Sequence, residues 1–224
     1  MYIVSAASSN HFKSACQFIH SVPKEFHIIF YDIGLSDKEY NEISLKFPHI
    51  TIRKFDFSKY PEHVSLSSPD AGAYAWKPII ISEVYSQITE GVLLWCDSGN
   101  LLNSQIYNLE VIIQQNKIYT STTQGNISEL THPNSLQNMN ISETISKMRM
   151  RNAACIGFLC GDSIVKSFID EWKRMALIKD VILPSGANRT NHRHDQSILS
   201  CLYYMYNIPN MDSYIGYSIH KDID

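Results

Sequence analysis

The sequence predicts one α/β domain with a mostly parallel central sheet flanked by helices. Three observations support this prediction. Strand and helix patterns alternate through the first 55 residues, and short apolar segments bounded by turn residues recur along the chain. No linker, repeat or low-complexity tract divides the 224 residues. Alternation of this kind is typical of parallel strands joined by crossover helices, and the length suits one such domain.

The first third of the chain contains three strand patterns separated by two helix patterns. Strands are expected at Tyr2–Ala7, Phe26–Asp32 and Ile50–Phe55. Apolar residues at helical spacing between Phe12 and Ile19 predict the first helix. Ser36 and Glu39 form a capping box, so the second helix should start there and end before Pro48.

The segment Gly91–Leu102 (GVLLWCDSGNLL) should form the centre of the sheet. Its continuous apolar run is typical of a strand buried on both faces. A helix should precede it, with Pro78 as a favoured first residue. Asp97 then lies at the carboxyl end of the strand, the edge where open α/β sheets bind ligands. The alternative is a structural aspartate that caps the turn Ser98–Asn100.

The second half of the chain has a less regular pattern. Helices are expected at 104–115, 142–150, 164–178 and 194–206, strands at 117–122 and 153–160, and irregular segments at 124–140 and 181–191.

Composition narrows the classes of function. The net charge of −3 provides no basic surface for nucleic acid. The five cysteines form no CxxC pair and should be reduced core residues. The start of the sequence lacks the features of a signal peptide, and no segment is long enough to span a membrane. A cytoplasmic protein is the expectation.

Two further polar clusters could bind an anion. Tyr74, Trp76 and Lys77 stand before a predicted helix, whose N-terminus attracts negative charge. The segment 188–197 (NRTNHRHDQS) places His194, Asp195 and other polar groups before the last helix, which suggests a site for a polar, anionic substrate. The structural alternatives are a core tryptophan beside a solvated lysine, and a solvated loop.

A metallohydrolase is a separate hypothesis for the same residues. His192 and His194 together with Asp97 could hold zinc, although no Cys ligand or HExxH motif accompanies them.

Four motifs in order, YDIGLS, AYAWKPIII, LLWCDSGN and NRTNHRHDQS, resemble a group of nucleotide-sugar glycosyltransferases of GT-A (Rossmann-like) fold. The order is more distantly similar to the glycogenin and galactinol-synthase superfamily. The resemblance covers residues 2 to about 206. It implies one glycosyltransferase domain, with residues 1–100 as the nucleotide-binding half and 101–224 as the acceptor and catalytic half.

The resemblance also implies roles for individual residues. The donor would be bound by Ser5, Ala6, Ala7, Asp32, Trp76, Lys77, Asp97, Ser98, Gly99, Asn100, Gly157 and His194. Within this set, Lys77 would face phosphate, Asp32 would lie near the base, and Gly157 belongs to a small-residue strand along the donor sugar. Asp195 and Gln196 match the DQ pair near the reacting carbon. Asp195 would then either deprotonate the acceptor or stabilise the developing positive charge.

The resemblance implies a divalent metal, Mn²⁺ or Mg²⁺, bound by Asp97 and His220. The sequence departs from the family pattern here, because Gly99 stands where the second aspartate of the DxD motif is expected.

The expected reaction transfers a hexosyl or pentosyl group from a UDP- or GDP-sugar to a carbohydrate or glycoconjugate hydroxyl. The alternative is a catalytically inactive nucleotide- or sugar-binding protein derived from the same fold.

Overall fold

The chain folds around a six-stranded sheet with helices on both faces. The structure, a computed structural model, describes residues 1–209, 211 and 213–219. Within these residues the strands are β1 (Tyr2–Ala7), β2 (His27–Asp32), β3 (Thr51–Lys54), β4 (Val92–Cys96), β5 (Asn100–Leu102), β6 (Ile118–Tyr119), β7 (Thr122–Asn126), β8 (Arg149–Arg151), β9 (Cys155–Leu159) and β10 (Tyr217–Ile219). The main helices in the same ranges are α1 (Phe12–Ser21), α2 (Asp37–Lys46), α3 (Trp76–Tyr85), α4 (Ile106–Asn116), α5 (Ile127–Leu130), α6 (Pro133–Asn138), α7 (Glu143–Ser146), α8 (Ser163–Ala176), α9 (Lys179–Ile182) and α10 (Asp195–Met205).

The central sheet has the strand order β3-β2-β1-β4-β9-β6. The first four strands are parallel, whereas β9 runs antiparallel to both β4 and β6. The prediction of an α/β fold with a mostly parallel sheet is confirmed. Because β9 is reversed, its first residues meet the carboxyl ends of β1 and β4 at one edge.

The sheet buries both of its faces, as the apolar run in β4 predicts. Leu93 and Trp95 pack into one core layer with α3, α8 and α10. Leu94 and Cys96 face the opposite layer, which includes residues of α1, α2 and α4. Successive side chains of a strand point to opposite faces, so β4 belongs to both layers. This double burial fixes the position at which the strand ends.

The first half of the chain follows the sequence prediction closely. Ser36 Oγ accepts the Glu39 N–H at 3.3 Å, and Glu39 accepts the Ser36 N–H at 2.8 Å, which forms the expected capping box. The predicted start of α3 at Pro78 is wrong by two residues. The helix begins at Trp76, and Pro78 lies within its first turn. The five cysteines are buried, and none forms a disulfide.

The second half differs from the prediction in several elements. The strand expected at 117–122 is divided between β6 and β7, and the helix expected at 142–150 is α7 followed by β8, which pairs with β7. The loop expected at 124–140 contains α5 and α6. These short helices depend on local caps: Glu129 accepts the Asn126 N–H at 2.8 Å, and His132 Nδ1 accepts the Asn134 N–H at 3.2 Å. An irregular segment was expected at 181–191, but its first two residues belong to α9, which ends at Ile182.

Across the part of the chain that the structure describes, no helix combines the length and apolar character needed to cross a bilayer.

Candidate active site

A crevice of about 560 Å³ opens at the carboxyl edge of the parallel strands. It is lined by the end of β1, the turn after β4, the first turns of α3 and α10, and the residues before β9. Of the residues singled out in the sequence, those that line it are Ala6, Ala7, Tyr74, Trp76, Lys77, Asp97, Ser98, Gly99, Asn100, His194, Asp195 and Gln196. The structure therefore brings the strand end, the helix start and the DQ pair together.

Asp97 follows the last residue of β4 and is held from two directions. Its backbone N–H donates to Ala154 O at 2.8 Å. Its side-chain Oδ1 accepts a 2.7 Å hydrogen bond from Trp95 Nε1. The side chain is 40% exposed, so it is accessible from the crevice.

Lys77 joins the two acidic residues of the crevice. Its Nζ lies 3.1 Å from Asp97 Oδ1 and 3.0 Å from Asp195 Oδ2, and it donates to Ala153 O at 3.1 Å. The contact with Ala153 is a hydrogen bond, whereas the contacts with the two carboxylates are ion pairs. Lys77 is 3% exposed. Lys77 thus lies in the wall of the crevice with two carboxylate partners, and its expected position facing phosphate stays a prediction.

Asp195 begins α10 and is almost completely buried. Its own burial raises the pKa of its carboxyl group, whereas the Lys77 ammonium opposes this shift. Burial likewise disfavours the charged form of Lys77, but the two carboxylates outweigh this effect and raise the pKa of the ammonium. With both carboxylates ionised, this group of two anions and one cation carries one net negative charge.

The turn after Asp97 is rigid. The Asn100 N–H donates to Asp97 O at 3.0 Å, and Asn100 Nδ2 donates to Ala154 O at 3.0 Å. Ser98 and Asn100 are buried except where they line the crevice. The amide of Asn100 thus holds the turn against the start of β9.

A left-handed turn forms one wall of the crevice. Asp70, Ala71, Gly72, Ala73 and Tyr74 all have φ between 50° and 69°. Such a conformation costs roughly 1–2 kcal/mol for each residue other than glycine. A Cβ at position 72 would lie 2.2 Å from a backbone oxygen, so glycine is required there.

Contacts to the segment before α10 hold this turn. Asp70 Oδ2 lies 3.0 Å from His194 Nε2, and Asp70 Oδ1 lies 3.9 Å from Arg189 Nε. The Arg189 guanidinium also donates to the Tyr74 hydroxyl and lies 5.5 Å from the centre of its ring. The turn and the 188–194 segment therefore form one unit.

The two histidines of this segment do not form a zinc site. His192 Nε2 donates to Ile182 O at 3.0 Å, and Nδ1 accepts the His132 N–H at 3.2 Å. His194 uses Nδ1 for Ile182 O at 3.1 Å and Nε2 for Asp70. All four ring nitrogens are engaged within the protein, so the metallohydrolase hypothesis loses its ligands.

Three residues expected at the donor site do not line the crevice. Ser5 is fully buried and donates to Cys96 O at 2.7 Å, which ties β1 to the end of β4. Asp32 Oδ1 accepts the N–H groups of Gly34 and Leu35 at 2.8 and 2.7 Å. A Cβ on Gly157 would lie 2.2 Å from Ile113 Cδ1, so this glycine serves packing. Each residue has a structural role in the sheet or its turns.

The expected metal ligands are only partly present among the described residues. His220 lies outside them, and Asp97 Oδ1 already accepts from Trp95 and Lys77. The described ranges contain no group of three His, Cys, Asp or Glu side chains arranged to hold an ion. A divalent cation held by protein side chains alone needs several hard oxygen ligands, and the described residues do not supply such a set.

Sequence reasoning missed Asp70 as a site residue. A run of positive φ at non-glycine residues leaves no recognisable pattern in the sequence. The partner of Asp70, His194, was identified only through the polar cluster before α10. The reversed direction of β9, which brings the preceding residues Ala153 and Ala154 to the crevice, was equally hidden.

The fold matches that of GT-A glycosyltransferases of known structure. WbbM, described as a bifunctional glycosyltransferase, superposes with a TM-score of 0.60 at 13% identity, over 92% of this chain and 38% of its own. The galactosyltransferase LgtC gives 0.56 at 17% identity, over 91% and 70%. Mouse xyloside xylosyltransferase 1 gives 0.52 at 8% identity, over 95% and 84%. The chain thus spans well under half of WbbM and most of the other two.

Sequence comparison adds one match of limited extent. Residues 1–82 match a family model described as "Protein of unknown function (DUF1647)". No curated protein matches the chain. At these levels of identity, the structural likeness establishes the fold, and activity must be argued from the site.

Proposed function

We propose that the protein is a glycosyltransferase that moves a sugar from a nucleoside-diphosphate sugar to a hydroxyl of a carbohydrate or glycoconjugate. One observation carries this proposal: Lys77 holds Asp97 and Asp195 together in a crevice at the carboxyl edge of a GT-A sheet.

The nucleotide end of the crevice is formed by small residues. Ala6 and Ala7 end β1 and line the crevice without long side chains. We assign the base and ribose to this region, and the sugar to the region of Asp97 and Asp195. This arrangement uses the ligand-binding edge that open α/β sheets provide.

The reaction breaks the bond between the anomeric carbon and the phosphate oxygen and forms a bond from that carbon to the acceptor oxygen. The nucleoside diphosphate leaves with the electron pair of the broken bond and takes up the proton that the acceptor hydroxyl loses. Positive charge develops on the sugar as the leaving group departs. Asp195 and Asp97 share only one cation, so their net negative charge stabilises an oxocarbenium-like centre. The rigid contacts of Lys77 keep both carboxylates in place before the substrate arrives.

The donor should be of the UDP or GDP type, with a hexose or pentose as the transferred sugar. The family resemblance also implies Mn²⁺ or Mg²⁺ as a cofactor, with Asp97 and His220 as ligands. Since the described residues do not fit a divalent cation, no step here passes through one.

Binding and turnover measurements test the proposal. Calorimetry should detect binding of UDP, GDP or dTDP, and product analysis should detect hydrolysis or transfer of the matching sugar nucleotide. Asp195→Asn and Asp97→Asn should each lower turnover by at least about 100-fold, the scale of lost transition-state stabilisation. Asp170→Asn, an exposed pair with Lys166, is the matched control. Wild-type turnover in both site variants would refute the assignment.

An inactive binding protein is the second candidate, favoured by Gly99 at the position of the second DxD aspartate. It predicts nucleotide binding without hydrolysis or transfer to any acceptor. Turnover by the wild-type protein would exclude it.

A further inference from the structure

The Asp97 carboxylate already has a cation beside it. Lys77 Nζ lies 3.1 Å from Asp97 Oδ1, and the same oxygen accepts a 2.7 Å hydrogen bond from Trp95 Nε1. An oxygen with two such donors has little capacity left for a metal ion, so only the second oxygen of this carboxylate remains for one. The ammonium also repels any second cation at this distance.

The position of Lys77 is fixed by the fold. Its side chain is 4% exposed, begins in the first turn of α3, and ends between Asp195 Oδ2 at 3.0 Å and Ala153 O at 3.1 Å. Moving the ammonium away would leave Asp195 buried without a counter-ion, which is costly. The lysine is therefore a resident part of the site.

The neighbouring residues point the same way. Gly99 supplies no side-chain oxygen, and the Asn100 amide donates to Ala154 O. Mn²⁺ and Mg²⁺ bind preferentially to several carboxylate, carbonyl or water oxygens. In the turn after β4, Asp97 is the one described residue whose carboxylate is exposed to the crevice.

From these contacts we propose that the Lys77 ammonium replaces the divalent cation at Asp97, so that the crevice binds its nucleotide ligand without a metal. The proposal concerns the cation site itself. The test has two parts, a metal arm (Mn²⁺ binding) and a nucleotide arm (UDP and GDP binding). The nucleotide arm rests on the proposed function, whereas the metal arm does not.

The metal arm compares Mn²⁺ binding by calorimetry and electron paramagnetic resonance. The wild-type protein should bind Mn²⁺ only weakly, in the millimolar range. Lys77→Met removes the ammonium and leaves Asp97 and Asp195 as two free carboxylates, so Mn²⁺ affinity should rise at least tenfold. Lys77→Arg keeps the charge and should show no gain. Lys147→Met, which alters an exposed lysine paired with Glu143, is the matched control.

The nucleotide arm compares UDP and GDP binding to wild-type protein in EDTA and in Mn²⁺. The dissociation constants should agree within about twofold. A tenfold gain with Mn²⁺, or micromolar Mn²⁺ binding by the wild type, would overturn the inference while leaving the proposed function intact.

Failure of nucleotide binding and failure of the variant to fold each leave the metal measurement decisive. If no nucleotide binds under either condition, the proposed function fails, and the Mn²⁺ titrations still decide this inference. If Lys77→Met does not fold, the wild-type titration alone decides it: weak binding supports the resident lysine, and micromolar binding overturns it.

Discussion

The carboxylate of Asp70 meets the imidazole of His194 at 3.0 Å, although 124 residues separate them in sequence. The other nitrogen of this ring faces the carbonyl oxygen of Ile182 at 3.1 Å. The imidazole thus bridges a carboxylate and a backbone carbonyl. This contact pins the left-handed turn against the segment before α10.

Asp70→Asn should therefore lower the free energy of unfolding by about 1.5–3 kcal/mol, the range for hydrogen bonds to charged groups. Urea denaturation at neutral pH measures the effect. Asp170→Asn, which breaks an exposed ion pair with Lys166, should cost well under about 1 kcal/mol. Equal losses in the two variants would show that the turn does not depend on this contact.

Neutralising Lys77 should lower the free energy of unfolding by more than neutralising Asp195. Asp195→Asn leaves a one-to-one pair of Lys77 with Asp97, so stability should change by no more than about 1 kcal/mol. Lys77→Met leaves two carboxylates without their cation, and loss of one partner of a buried pair costs about 3–5 kcal/mol. Parallel urea titrations at pH 7 provide the comparison. A larger loss in the aspartate variant would contradict the sharing of one ammonium by two anions.

His192 should make the protein sensitive to acid. Burial, together with the neighbouring His194, lowers the pKa of His192 to about 4 in the folded state. The unfolded chain binds a proton near pH 6.5, so the contribution of this site is complete above that pH and is lost as pH falls toward 4. Stability should decrease by about 2 kcal/mol from this site between pH 7 and pH 5.

The variant His192→Gln removes the titrating group and keeps an amide that can donate to Ile182 O. Its unfolding free energy should depend less on pH over this interval than that of the wild type. His20→Gln, at an exposed position, should retain the wild-type dependence. An unchanged pH profile in His192→Gln would remove His192 as the cause.

Gly157 should behave as a packing residue. Gly157→Ala places a methyl group 2.2 Å from Ile113 Cδ1 and 2.6 Å from its Cγ1, so the protein should lose about 1–3 kcal/mol of stability through overpacking. Combining it with Ile113→Ala should cost less than the sum of the two single changes, because the cavity accepts the methyl group. Denaturation of the four proteins completes this cycle. Strict additivity would argue against the contact.

The sequence predicts the frame of the site because strand ends and helix starts have recognisable patterns. The apolar run before Asp97 locates one edge of the sheet, and the cluster before α10 locates Asp195. In contrast, the burial of Lys77 between two carboxylates depends on a tertiary contact over more than 100 residues. The left-handed turn at 70–74 and the reversed direction of β9 also arise from packing, for which no local pattern exists.

The direction of β9 has a consequence for how this site tolerates change. The backbone oxygens of Ala153 and Ala154, just before this strand, accept hydrogen bonds from Lys77 and from the Asp97 N–H. These acceptors are present whatever residue occupies positions 153 and 154. Substitutions there can reshape the pocket wall while the ammonium and the turn keep their partners. The side chains of this wall and the charged centre are therefore separable features of the site.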